Sequence, residues 1–196
     1  MATFGETSIV SALTDGVIPN DQIEMSRFTL SEAGVVSALT MYCGKHLGNS
    51  DAKGVIVNTS LALLGVTTAT ALPNGFGWTT FTFGTGVSLG AGNYYLGIIA
   101  QTAGANYYYF SGGGPMYVDS TNSYTTPTNP TDATSEGAYH HCIYATYTPS
   151  GGGLSIPVAM NLYRQYAARR GPVPPCDNWT RRNGLYVPKE RDNVLG

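Results

Sequence analysis

The sequence predicts an all-β chain: an antiparallel β-sandwich or jelly-roll-like body followed by an extended C-terminal arm. Three observations lead there. Roughly seven to nine short runs of alternating or continuous apolar residues follow one another through the first 149 positions. Corners rich in Gly, Pro and Asn separate them, as sandwiches and related barrels require. Finally, 149-Pro-Ser-Gly-Gly-Gly-153 is a flexible break, after which the composition changes. At 196 residues the chain has room for one sizeable core plus an extension. The expected division is therefore a body over 1–149 and an arm over 150–196.

Taken in order, residues 1–24 read as an irregular lead-in, with turn signals at Asp15-Gly16 and Pro19-Asn20-Asp21. A short strand follows over 27–30. After a turn at 31–34, residues 35–43 alternate Val35, Ser37, Leu39, Met41 and Cys43 against Val36, Ala38, Thr40 and Tyr42, a strand with one apolar face. Residues 44–54 form a polar loop containing Lys45, His46, Asn49 and Asp51, and 55–57 the next strand. Residues 60–72 suggest a strand or a pair interrupted at Gly65. A helix over 61–72 is opposed by the β-branched run Val66, Thr67, Thr68 and Thr70.

After the turn at Pro73-Asn74-Gly75, residues 77–100 read as a central antiparallel pair joined by a glycine-punctuated connection. Thr79, Phe81 and Phe83 share one face of its first strand. The second strand, 94–99, is apolar on both faces, as a strand covered on both sides would be. Phe81, Phe83, Tyr94, Leu96 and Ile98 are the expected core. Beyond it come a short strand over 107–110, a corner at 112–115, a brief strand over 116–119, and a long surface loop over 120–137 with Pro127 and Pro130. The last strand of the body, 139–147, sets His141, Ile143, Ala145 and Tyr147 on one face and His140, Cys142, Tyr144 and Thr146 on the other. No period of 20 to 50 residues repeats, which disfavours a solenoid.

In the arm, Pro157 with Val158, Met160, Leu162, Tyr163 and Tyr166 suggests one short helix over 157–170, stopped by Gly171 and Pro172. Residues 176–196 show no obvious regular structure. They alternate cations with Trp179, Leu185, Tyr186 and Val187, a pattern suited to laying anchors on another surface.

Charge divides at the same boundary. The net charge is −2, but residues 1–149 carry nine carboxylates against Arg27, Lys45 and Lys53, a formal −6. Residues 150–196 carry Arg164, Arg169, Arg170, Arg181, Arg182, Lys189 and Arg191 against three carboxylates, a formal +4. Acidic body and basic arm attract, within a subunit or between neighbours. A nucleic-acid tail would be more densely basic and richer in Lys, so no nucleic-acid partner is expected. Charged residues are only 11 % of the chain, so neutral polar groups must keep it in solution, as in many β-rich extracellular and virion proteins.

No catalytic constellation emerges. The serines lack a recognisable His and Asp arrangement, and 84-Gly-Thr-Gly-Val-Ser-Leu-Gly-90 lacks the Lys-Ser/Thr ending of a phosphate loop and leads into a strand. Adjacent His140 and His141 point to opposite faces and do not chelate one metal. Glu32, Asp119 and Glu136 show no acid/base pairing by spacing. Cys43, Cys142 and Cys176 are odd in number with no C-x-x-C, which argues for buried thiols over a disulfide framework. Neither a signal peptide nor a membrane-length apolar run is visible, so synthesis in the cytoplasm without membrane association is expected. Asn58-Thr59-Ser60 and Asn178-Trp179-Thr180 then carry no weight as glycosylation sites. The expectation is a non-enzyme with no cofactor and no metal.

Several segments together resemble small β-sandwich proteins encoded among phage structural genes. They are the opening Ala2-Thr3-Phe4-Gly5-Glu6-Thr7; Arg27-Phe28-Thr29-Leu30 with Glu32-Ala33-Gly34; Gly77-Trp78 ahead of Phe81 and Phe83; Leu89-Gly90-Ala91-Gly92-Asn93-Tyr94-Tyr95-Leu96; and Ile143-Tyr144-Ala145-Thr146-Tyr147. The resemblance covers roughly residues 2–148 and rests on core and turn positions. It implies head-decoration, fibre or tail-associated modules, some with lectin-like roles.

The resulting expectation is a virion structural protein that assembles with itself, or with a major capsid or tail protein. Its arm would dock on a neighbouring subunit through Trp179, Leu185, Tyr186 and the arm cations Arg164, Arg169, Arg170, Arg181, Arg182, Lys189 and Arg191. The alternative is a carbohydrate-binding or adhesin module, with a glycan held by the loops at 44–54 and 111–137 and by exposed members of the fourteen tyrosines.

Overall fold

The computed structural model describes residues 1–9, 13–45, 50–102, 105–111, 114–151, 179–182 and 185–188. Two compact units divide at the glycine run, Met1–Gly151 and Gly152–Gly196. The first is an antiparallel β-sandwich.

Its first sheet has seven strands: β1 (Ala2–Gly5), β2 (Leu13–Ile18), β4 (Gly34–Lys45), β8 (Gly77–Leu89), β10 (Ala105–Ser111), β13 (Tyr139–His141) and β14 (Ile143–Pro149). The path runs β1-β14-β4-β10-β13, with β8 on the other side of β4 and β2 on β10. The second sheet has β3 (Ile23–Leu30), β5 (Asp51–Asn58), β6 (Leu63–Val66), β7 (Thr70–Ala71), β9 (Gly92–Ala100), β11 (Met116–Asp119) and β12 (Thr134–Ser135). Its order is β12-β11-β3-β9-β5-β6, with β7 also on β5.

The main core lies between the sheets. Leu39 and Met41 of β4, Phe81 and Phe83 of β8, and Ile143 and Ala145 of β14 meet Leu30, Ile56, Leu96 and Ile98 of the second sheet, all buried. Each of the larger side chains contributes about 1.5–3 kcal/mol of transfer free energy. Of the five expected core residues, Phe81, Phe83, Leu96 and Ile98 are buried, and Tyr94 packs half-buried against the cluster.

A second apolar cluster covers the opposite face of the second sheet. Ile23, Met25, Val55, Val57, Tyr95 and Ile99 pack there beneath Tyr124. The segment 120–133, expected as a plain surface loop, is thus a strap over the sheet. Lys53 Nζ donates to the Tyr124 carbonyl at 2.7 Å and sits 4.4 Å from its ring centroid. Tyr124 N donates to Asp21 Oδ1 at 2.7 Å and Leu63 N to Asn129 Oδ1 at 2.9 Å.

Several sequence expectations are corrected. Strands β8 and β9 are not a hairpin pair: β8 bonds to β4 in the first sheet, and β9 lies between β3 and β5 in the second. Their patterns explain why. β8 alternates buried Thr79, Phe81 and Phe83 with exposed Thr80 and Thr82, which suits a sheet with one wet face. β9 is apolar on both faces and belongs in the sheet that the strap covers. The expected glycine connection is mostly strand, because β8 runs on until Leu89 pairs with Gly34.

Residues 1–24 are not an irregular lead-in. They hold β1, β2 and the start of β3, and Asp15-Gly16 sits in the β2 ladder opposite Tyr108 and Tyr107. Ladder pairing overrides the local turn preference. Between β6 and β7 the break falls at residues 67–69, past Gly65. Thr67 Oγ1 accepts the Gly54 amide at 2.8 Å and donates to the Thr68 carbonyl at 3.0 Å, so its side chain competes with the ladder. The expected strand 139–147 is two strands, β13 and β14, parted at Cys142. The helix expected over 157–170 lies outside the described residues.

Candidate functional site

The arm's described part is a two-stranded antiparallel sheet, β15 (Trp179–Arg182) and β16 (Leu185–Pro188). The register pairs Trp179 with Pro188, Thr180 with Val187, Arg181 with Tyr186 and Arg182 with Leu185. This corrects the expectation that residues 176–196 lack regular structure. The overlooked signal is Asn183-Gly184, the dipeptide most favoured in two-residue hairpin loops, lying between Thr-Arg-Arg and Leu-Tyr-Val. Five of the ten expected partner-binding residues, Trp179, Arg181, Arg182, Leu185 and Tyr186, are thereby gathered on one short ribbon. Arg164, Arg169, Arg170, Lys189 and Arg191 lie outside the described residues.

On the body, two surface features stand out. A cleft of about 620 Å³ opens beside β6 and the second half of β8, lined among others by Leu64, Gly65, Phe83, Gly84 and Val87. Among the described residues β8 pairs with a strand on one side only, and on its other edge Thr68 reaches the Thr82 carbonyl through its amide (3.0 Å) and hydroxyl (3.2 Å). The rest of that edge presents backbone donors and acceptors.

The second feature lies on the outer face of the first sheet, where Tyr42, Trp78 and Tyr144 come together with Phe76. Trp78 is 5.5 Å from both Tyr42 and Tyr144 by ring centroid, and Tyr42 stacks on Phe76 at 6.1 Å. Trp78 is 38 % exposed. Of the loops expected to hold a glycan, 44–54 includes residues 46–49, which are outside the described set, and 111–137 is largely the strap.

The histidines resolve into separate environments. His141 is fully buried between the sheets, where Ser26 Oγ lies 2.7 Å from its Nδ1 and accepts its backbone N–H at 3.0 Å. Its Nε2 lies 3.6 Å from Glu24 Oε2. Glu24 and Ser26 alternate along β3 and both turn inward, so this Ser-His-Glu group couples β3 of one sheet to β13 of the other. Sequence reasoning missed Glu24 and Ser26 because 115 positions separate Ser26 from His141. Ser26 and His141 are fully buried and Glu24 is only 4 % exposed, so the group lies in the interior between the two sheets.

Asp119 is also buried. Burial, followed by its hydrogen bond to Asp132, pushes its carboxyl above the usual range, while that same bond pulls Asp132 below it. Asn122 Nδ2 donates to Asp119 Oδ2 at 2.7 Å, tying the start of the strap to β11. Cys43 and Cys142 are both buried, and burial pushes the Cys43 thiol up to about 12 against an opposing hydrogen bond with Thr79. Among the described residues no group of three or more His, Cys, Asp or Glu is placed to hold a metal ion. No helix among them is long and apolar enough to cross a membrane.

Compared with known proteins, the sequence matches no family model and no curated protein.

Proposed function

We propose that this chain is a non-enzymatic structural protein of a virion, a capsid-decoration or fibre/tail-associated module whose C-terminal arm engages neighbouring subunits. The observation that carries the reading is the arm itself: a compact unit of its own, formally +4 beside a body at −6, with β15 and β16 bonded only to each other among the described residues. A lone two-stranded ribbon is marginal in water and gains stability by packing on, or adding to, another sheet. The aromatic and aliphatic side chains of Trp179, Tyr186 and Leu185 supply apolar area for that contact. Arg181 and Arg182 supply charge opposite in sign to the body of a second copy, or to a capsid or tail protein.

Deleting residues 152–196 tests the reading. The truncated chain should keep the cooperative unfolding of the body and sediment as a monomer, whereas the full chain self-associates or decorates the particle. Truncated protein that assembles with undiminished affinity would sink it. A glycan-binding role is the second reading, favoured by the exposed Trp78 set among Tyr42, Phe76 and Tyr144, because aromatic faces stack on sugar rings. Saturable binding to a surface polysaccharide, abolished by Trp78→Ala, would support it.

A further inference from the structure

A cavity of about 310 Å³ lies on the body, away from the aromatic group, bounded by Arg27, Phe28, Thr29, Asn93, His140 and the backbone at 114–115. It exists because two adjacent strands differ in length. β11 pairs with β3 only from Ile23 to Ser26, while β3 continues to Leu30 with β9 on its other side. The slot left beside 27–30 is closed at one end by residues 114–115 and His140. Gly114 holds φ at +132°, and a Cβ there would lie 2.9 Å from His140 Nε2, so the glycine lets the imidazole rest against the chain. Phe28 packs on the same ring, 4.8 Å between centroids.

The donors in this slot are oriented. Thr29 Oγ1 donates to Asn93 Oδ1 at 2.7 Å, which engages the amide oxygen and leaves the Nδ2 hydrogens as the amide's outward polar face. Arg27 is exposed and contributes a guanidinium. No carboxylate lines the cavity, although the body as a whole carries nine carboxylates against three fixed cations. One permanent cation and the Asn93 amide hydrogens, with no acid in the lining, favour an anion, and a planar guanidinium suits a carboxylate. The volume lies at the small end of ligand sites and admits about one sugar ring. Thr29 and Asn93 are available for ring hydroxyls, and Phe28 and Pro115 for the apolar edge.

We propose that this cavity binds the carboxylate-bearing unit of an acidic polysaccharide, a uronic or sialic acid, with Arg27 taking the carboxylate and Asn93 a neighbouring hydroxyl. The site is independent of the arm and adds a surface-recognition role to the assembly role proposed above.

The full-length chain should be titrated calorimetrically with oligosaccharides of glucuronic acid and of N-acetylneuraminic acid, with a neutral glucose oligomer, and with inorganic phosphate at matched ionic strength. At least one acidic sugar should bind saturably, at least about tenfold more tightly than the neutral oligomer and phosphate, a discrimination equal to about 1.4 kcal/mol. Arg27→Gln and Asn93→Asp should each weaken it by about tenfold or more. Both residues are exposed, and an unchanged melting temperature would show that the fold is kept. Absence of saturable binding to both acids, equal affinity for the neutral oligomer or for phosphate, or undiminished binding by Arg27→Gln would each overturn the proposal. Sedimentation of the same samples reads assembly separately, so loss of sugar binding leaves the arm reading standing.

Discussion

Ser26 shows how much one hydroxyl can hold in this fold. Its Oγ serves both the Nδ1 and the backbone N–H of His141, so one small side chain on β3 fixes the imidazole and the end of β13 together. Ser26→Ala leaves that buried N–H without its acceptor, and urea denaturation should show a loss of about 1–3 kcal/mol. Ser26→Thr keeps the oxygen but adds a methyl group to a filled site, so it should recover only part of that loss. The neighbouring His140 is half-buried, and its environment sets a pH response. Burial first, then His141 and Arg27, hold it below the ordinary imidazole range against the opposing pull of Glu6. The unfolded chain therefore takes up this proton before the folded one does. Its contribution to stability is intact above the ordinary imidazole range and is lost as pH falls through it. The melting temperature should drop between pH about 7.5 and about 5.5, and the drop should be smaller in His140→Gln. Cys43, fully buried, should react with a thiol reagent such as DTNB only after denaturation.

At the scale of elements, β9 makes the sharpest stability prediction. Leu96 faces the inter-sheet core and is fully buried, so Leu96→Ala should cost about 2–5 kcal/mol. Trp78→Ala, at an exposed site of β8, should cost only about 1 kcal/mol through its ring contacts. Gly97, between the two buried positions Leu96 and Ile98, is there for a different reason. A Cβ on it would lie 2.5 Å from the Glu24 carbonyl and 2.6 Å from Met25 Cβ, so Gly97→Ala should cost about 1–3 kcal/mol or more by forcing β3 and β9 apart. The period-two pattern of β8, the two-sided apolar pattern of β9 and the glycine boundary were legible in the sequence because they are local. The assignment of β8 and β9 to different sheets was not, since strand adjacency depends on which faces the rest of the molecule covers. The pairing of β15 with β16 was legible in the Asn-Gly dipeptide between them and was obscured by the weight of the surrounding arginines and prolines. The Arg27 cavity was not, because it arises from the different lengths of β3 and β11 and from residues as distant as Thr29 and His140.

For the whole molecule, the separation of charge between body and arm bears on assembly directly. If attraction between the +4 arm and −6 bodies brings subunits together, association should weaken as salt is raised to about 1 M, where the Debye length falls to about 3 Å. Light scattering against salt would read this, and an association that strengthens monotonically with salt would point to purely apolar contact. The strap over the second sheet carries a different consequence. With 120–133 in place, one flank of the body is dry and the other, studded with Thr3, Thr80 and Thr82, is wet. The strap therefore keeps this face out of water, fastened by the Asn122 amide on Asp119, the Lys53 ammonium on the Tyr124 carbonyl, the Tyr124 amide on Asp21, and Asn129 on the edge of β6. A protease nick there, or Tyr124→Ser, would uncover Ile23, Val55, Val57 and Ile99 as a contiguous greasy panel while leaving the inter-sheet core intact. Such a protein would still unfold cooperatively, yet it would take up a dye such as ANS and come out of solution long before it melts.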